Sequence, residues 1–115
     1  MRYNINMLKS ILGNSVKERI LLYLLTHKEV HLREISSAFK GHHTSYLNQL
    51  KIMEKGGVLT SRLKGRTRLY VFNPRYPFLT ELKALLEKAI KFMPKKEKEK
   101  YYTPRLRPRR AGKPL

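Results

Sequence analysis

The fold is decided by the stretch from Leu32 to Asn73, which reads LREISSAFKGHHTSYLNQLKIMEKGGVLTSRLKGRTRLYVFN. A short helical pattern covers residues 33–39 and leads into a turn at Gly41, where glycine can adopt a positive φ. A second helical pattern covers residues 43–55, with Tyr46 or Leu47, Leu50 and Met53 facing inward, and two glycines then end it. The sequence therefore predicts two helices joined by a tight turn.

Two strand patterns follow, at residues 58–63 and 68–72. They flank the segment 64–67, Lys-Gly-Arg-Thr, in which the glycine favours a hairpin turn. Pro74 and Pro77 come directly afterwards and disfavour further strand pairing. The predicted order for the whole stretch is helix, turn, helix and β-hairpin.

Helical patterns flank this stretch on both sides. Ser15 and Glu18 have the spacing of a capping box, which predicts a helix over 16–27. The segment 78–93 has apolar residues at a spacing of three or four and ends before a proline. The predicted fold class is mainly α with a small β-hairpin (α+β), in one domain over 1–93.

The apolar stripe of the last helix is longer than a small core needs, which favours a homodimer interface over the alternative, burial in the core of its own chain. A shorter stripe over 1–12 could cap the core, pair with a second subunit or fray. The predicted interface residues are Leu8, Leu12, Leu82, Leu86, Ile90 and Met93.

Charge is the strongest global feature of the chain. The sequence has 26 Lys and Arg against eight acidic residues, a formal net charge of +18. An excess of this size favours a polyanionic partner, with nucleic acid ahead of an anionic membrane surface. Segment 94–115 is rich in Lys, Arg and Pro and is expected to be a disordered basic tail. Its predicted nucleic-acid contacts are Arg105, Arg107, Arg109 and Arg110.

The second helix of the central stretch begins with short polar side chains of the kind that read base edges in the major groove. The amide groups of Asn48 and Gln49 suit adenine, and the helix amino terminus suits phosphate. The hairpin adds four cations that suit a phosphate backbone or a minor groove. The candidate DNA-binding residues are His42, His43, Thr44, Ser45, Asn48, Gln49, Lys51, Arg62, Lys64, Arg66 and Arg68.

Segment 15–93 resembles the winged helix-turn-helix transcriptional regulators of the ArsR/MarR-like kind. The likeness lies in ISSAF at 35–39, in TSYLNQLKIMEKGGVL at 44–59 and in GRTRLY at 65–70. These correspond to the first helix of the motif, the recognition helix with its exit, and the wing. The resemblance implies a dimer that reads a two-fold site in double-stranded DNA and represses transcription.

Other classes of function fit the residues less well. An RNA-binding or ribosome-associated winged helix is the main alternative, and a protein-interaction module is a third. A metal site at His27, His31, His42 and His43 would lack Cys and Asp, which the chain does not contain. An enzyme would need a nucleophile with an oriented base or a phosphate-binding loop, and neither pattern is present. We therefore expect a cytoplasmic protein without enzyme activity or cofactor; the absence of cysteine fits a reducing compartment.

Overall fold

The structure is a computed structural model that describes residues 3–4 and 6–103. Six helices and one antiparallel hairpin follow one another along this part of the chain. The helices are α1 (Asn6–Leu12), α2 (Ser15–His27), α3 (Leu32–Phe39), α4 (His43–Lys55), α5 (Leu79–Phe92) and α6 (Lys95–Tyr101). The strands are β1 (Leu59–Lys64) and β2 (Thr67–Phe72). Within these described residues, no helix combines the length and apolar character that a bilayer crossing requires.

The core is built around α2, which contacts α1, α4 and α5. Ile20, Leu22 and Leu24 are almost fully buried, so this helix is apolar around most of its circumference. Its amino terminus differs from the predicted capping box. Asn14 is the N-cap, and its Oδ1 accepts the Lys17 amide at 2.7 Å. The Glu18 carboxylate instead accepts a hydrogen bond from the Tyr3 hydroxyl.

A cluster of titratable groups joins distant parts of the sequence and consists of Tyr3, Glu18 and the buried Tyr102. Burial raises the pKa of the Glu18 carboxyl, the Tyr3 hydrogen bond opposes that rise, and Glu97 adds to it. Burial also raises the pKa of both tyrosines above the usual range. The cluster therefore stabilises the neutral forms of these groups.

The turn between α3 and α4 corrects one expectation. Lys40, and not Gly41, has the left-handed backbone conformation, with φ of 51°. Gly41 is required for space, because a Cβ atom there would lie 2.6 Å from Cε2 of Tyr46. The ring of Tyr46 is fully buried and fills the volume that a side chain at Gly41 would need.

The hairpin lies where the sequence predicts it, and its turn is two residues shorter than the predicted loop 64–67. Leu59 pairs with Phe72 at one end and Lys64 with Thr67 at the other, leaving Gly65 and Arg66 as the turn. Gly65 has φ of +66°, which favours glycine. Val30 adds an isolated bridge to Tyr70 and anchors the segment between α2 and α3 to the sheet.

A further helix follows residue 93, the predicted end of the domain. Residues 95–101 form α6, which returns to the end of α3. The Tyr101 ring stacks on the Phe39 ring, with centroids 4.5 Å apart, and Tyr102 is buried in the core. The described fold therefore continues through residue 102, because Tyr101 packs on Phe39 and Tyr102 is buried in the core. The predicted tail contacts at 105–110 lie outside the described residues.

The residues predicted to form a dimer interface lie wholly or partly in the core of their own chain. Leu8, Leu86 and Met93 are at most 4% exposed, so their own chain already covers these side chains. Leu12, Leu82 and Ile90 are half-buried and pack against the same core. The exposed large apolar side chains on α1 and α5 are instead Ile11, Leu85 and Phe92.

Candidate nucleic-acid interface

Helix α4 is held in place by its inner face. Tyr46, Leu50 and Met53 are buried, as their spacing predicts. The Tyr46 hydroxyl accepts a hydrogen bond of 3.1 Å from Arg19 of α2. The Arg19 guanidinium also lies 5.2 Å from the centre of the Phe39 ring. One arginine therefore connects α2 to both helices of the helix-turn-helix, and the orientation of α4 is fixed by packing.

The opposite face of α4 carries what we term the outward row. Its five members are exposed and follow one another at helical spacing: Thr44, Asn48, Lys51, Ile52 and Lys55. Sequence reasoning identified the first three and omitted Ile52 and Lys55. Their spacing of three or four residues from Asn48 and Lys51 is the signal that would have found them.

Three predicted contact residues of α4, His43, Ser45 and Gln49, lie off this row. Ser45 and Gln49 are half-buried. The side-chain oxygen of Gln49 is enclosed and has no hydrogen-bond partner among the described residues. Gln49 is therefore turned towards the protein and is less suited to base reading than Asn48.

The amino terminus of α4 is open. His42 is the N-cap, and its side chain makes no capping hydrogen bond. No acidic residue occupies the first turn, so the positive end of the helix dipole is not neutralised locally. The His43 Nδ1 lies 3.2 Å from Oγ of Ser36, which directs this ring towards α3. An anion such as a phosphate group suits this end of the helix.

The four hairpin cations fall into two pairs. Arg62 lies 3.8 Å from the Glu29 carboxylate, and Arg68 donates a hydrogen bond of 3.0 Å to Ser61. Lys64 and Arg66 lie at the exposed tip on either side of Gly65. The tip pair is therefore available to an external phosphate, while the other pair also interacts with its own chain.

A short network sets the hairpin against α4. The Ser61 hydroxyl donates to Glu54 at 2.6 Å and accepts from Arg68 at 3.0 Å. Glu54 belongs to α4, whereas Ser61 and Arg68 belong to the two paired strands. Sequence reasoning missed this network, because its members are separated by seven residues across an element boundary.

The helix-turn-helix and the hairpin have a large net positive charge. Segment 32–76 contains nine Lys or Arg residues against two Glu residues, a net of +7. Both glutamates are engaged within the protein, since Glu34 accepts from Tyr23 and Glu54 from Ser61. The surface around α4 and the hairpin is thus suited to a polyanion.

The histidines are dispersed. His27 stacks on the ring of Tyr23, with centroids 3.8 Å apart, and the Nδ1 of His31 accepts the Glu34 amide at 3.2 Å. Within the part of the chain that the structure describes, no three metal-ligating side chains lie together.

The comparisons with known proteins give a likeness of fold. No protein-family model matches the sequence, and no curated protein matches it. Among solved structures, the chain is similar to reduced HlyU from Vibrio cholerae N16961, with 24% identity and a TM-score of 0.59. The match covers 73% of this chain and 82% of that one. The fold is an α+β winged helix-turn-helix, in which α3 and α4 form the motif and the hairpin forms the wing.

Proposed function

We propose that this protein is a DNA-binding transcriptional regulator of the ArsR/MarR-like kind, which binds duplex DNA as a homodimer and represses transcription. The observation that carries the proposal is the outward row of α4. A helix fixed on its inner face presents Thr44, Asn48 and Lys51 outward, and the basic hairpin that follows is joined to this helix through Ser61 and Glu54. Helices of this kind enter the major groove of B-DNA, where base edges have distinct donor and acceptor patterns.

In this arrangement α4 contacts base edges and phosphates, and the hairpin contacts phosphates. Asn48 reads a base edge, since its amide can pair with adenine in a bidentate manner. Lys51, Lys64 and Arg66 neutralise phosphates and fix the register of the protein on the duplex. The open amino terminus of α4 adds a phosphate contact through its amides. The predicted tail cations at 105–110 extend the electrostatic contact along the backbone.

The homodimer is proposed from the exposed side of α5. Leu85 and Phe92 are 37% and 47% exposed and are separated by seven residues, so they lie on one line of the helix. Burial of such a stripe against its copy stabilises a two-fold dimer. Two copies of α4 would then meet successive major grooves on one side of the duplex, and the bound site would have two-fold symmetry.

The test is selection of a preferred duplex from a random pool, followed by salt-titrated binding. We expect the selected duplex to bind at least ~10³-fold more tightly than random DNA. Asn48→Ala should weaken that complex by about 1–3 kcal/mol and relax the preference at one position. Arg66→Ala should weaken all duplexes alike and flatten the salt dependence.

Structured RNA is the competing ligand in the same assay. Equal affinity for random duplex, selected duplex and RNA would contradict the proposal and favour an RNA-binding protein. The absence of any salt-dependent affinity for DNA would favour a protein-interaction module instead.

A further inference from the structure

Ile52 is an apolar residue in a polar row. It is 54% exposed and lies one helical turn beyond Asn48 on the same face of α4. Its neighbours in the outward row, Lys51 and Lys55, are both cationic. The large apolar side chain is therefore displayed on the surface that faces the proposed nucleic-acid partner.

The folding of the chain does not account for this isoleucine. The inner face of α4 is already filled by Tyr46, Leu50 and Met53. A β-branched residue on an exposed helix face also has a lower helix propensity than Lys, Glu or Ala. Neither packing nor local helix stability thus favours isoleucine at this position.

We propose that Ile52 is a specificity-determining residue that contacts the C5-methyl group of a thymine in the major groove. The inference rests on the proposed function and goes further by naming the base feature that is read. The thymine methyl is the one apolar group that base pairs present in the major groove, and it distinguishes T·A from C·G by contact alone. An exposed isoleucine between Lys51 and Lys55 suits contact with that methyl group, because these two lysines bind the phosphates on either side.

The geometry of the helix places this thymine relative to the base that Asn48 reads. Four residues along an α-helix correspond to a rise of about 6 Å. Successive phosphates of one DNA strand are separated by about 3.4 Å along the axis. Asn48 and Ile52 therefore contact base pairs about two steps apart, and each half-site contains an adenine contact and a thymine methyl contact close together.

The experiment replaces single thymines of the selected duplex by deoxyuridine. This change removes the methyl group and keeps the hydrogen-bonding edge. For the unmodified protein, we expect one thymine per half-site at which the replacement weakens binding about three- to fivefold, the effect of one lost methyl contact. Ile52→Ala should bind the thymine and deoxyuridine duplexes equally, and Ile52→Val should show an intermediate ratio.

Ile11→Ala is the matched control. It removes the same side chain from α1, where it is 67% exposed, and should leave the thymine-to-deoxyuridine ratio unchanged. An equal deoxyuridine penalty in the unmodified protein and in Ile52→Ala would overturn the inference, and so would the absence of any sensitive thymine. In both cases a strong preference for the selected duplex would still uphold the proposed function. A protein without any preferred duplex would fail both.

Discussion

Gly41 allows the close turn between α3 and α4 because it has no side chain. Its backbone is unstrained, but a Cβ atom would lie 2.6 Å from the ring of Tyr46. We expect Gly41→Ala to lower the free energy of unfolding by about 1–3 kcal/mol, because the buried ring must move or the turn must open. Urea denaturation measures this change directly.

The control is Gly56→Ala, at the end of α4. The nearest atom to a Cβ there is a backbone oxygen at 3.4 Å, and this glycine also has an ordinary φ. This variant should be close to neutral. A Gly41→Ala variant as stable as Gly56→Ala would show that Tyr46 has room to shift.

Glu18 makes stability depend on pH. Burial raises the pKa of its carboxyl above the value of 4.5 expected in the unfolded chain. The folded state therefore binds more protons between the two pKa values, and the free energy of unfolding falls as pH rises through that window. Glu18→Gln keeps an acceptor for Tyr3 but does not titrate. We expect its stability relative to the natural protein to increase from about pH 4 towards pH 7.

Thermal or urea unfolding across this pH range checks the prediction, with the exposed Glu81→Gln as a control for the lost charge. A Glu18→Gln variant that loses relative stability towards neutral pH would mean that the Tyr3 hydrogen bond, together with Arg19 and Lys9, favours the carboxylate more than burial and Glu97 disfavour it.

These residues also show what sequence patterns contain and what they omit. Helical spacing places Leu50 and Met53 inward and Asn48 outward, because that spacing follows from helix geometry. It leaves Tyr46 and Leu47 as alternatives until the fold selects Tyr46. It cannot separate a glycine needed for a positive φ from one needed for space. The contact between Tyr3 and Glu18 depends on tertiary packing and leaves no local pattern.

At the scale of elements, α6 is the main difference from expectation. Its sequence, KKEKEKY, resembles a solvated basic segment, and charge alternation gives no apolar stripe. What anchors it is the pair of aromatic residues at its end, since Tyr101 stacks on Phe39 and Tyr102 is 4% exposed. The position of the hairpin was predictable because its turn and strand signals are local, whereas the pairing of Lys64 with Thr67 inside the predicted loop was not.

Two truncations separate the helix from the segment beyond it. A chain ending at Pro94 should lose roughly 3–5 kcal/mol of stability, on the scale of removing one buried aromatic side chain. A chain ending at Thr103 should unfold at the same urea concentration as the full chain. Tyr102→Ala in the full chain should reproduce most of the loss. Equal stability of the two truncated chains would show that α6 contributes little to the core.

At the scale of the whole molecule, the exposed side of α5 is the surface that we propose for the homodimer interface. Leu85→Glu places a charge on the line that also carries Phe92 and leaves the buried Leu86 untouched. We expect sedimentation velocity to show a monomer for this variant and a dimer for the natural protein. The folded monomer should retain its helical circular dichroism and lose affinity for the two-fold site.

Glu87→Gln, an exposed change on the same helix, serves as the control and should remain dimeric. A natural protein that sediments as a monomer when bound to its selected duplex would refute the dimer.

The anchoring of Tyr102 beside Phe39 also limits how far from the core Arg110 can contact a DNA backbone. Arg110 follows Tyr102 by eight residues, and a fully extended chain of that length spans about 28 Å. That distance corresponds to about eight base-pair steps. Phosphates that Arg110 protects from a nuclease should therefore lie at most about that far from the position of this anchor, whichever path residues 103–110 take.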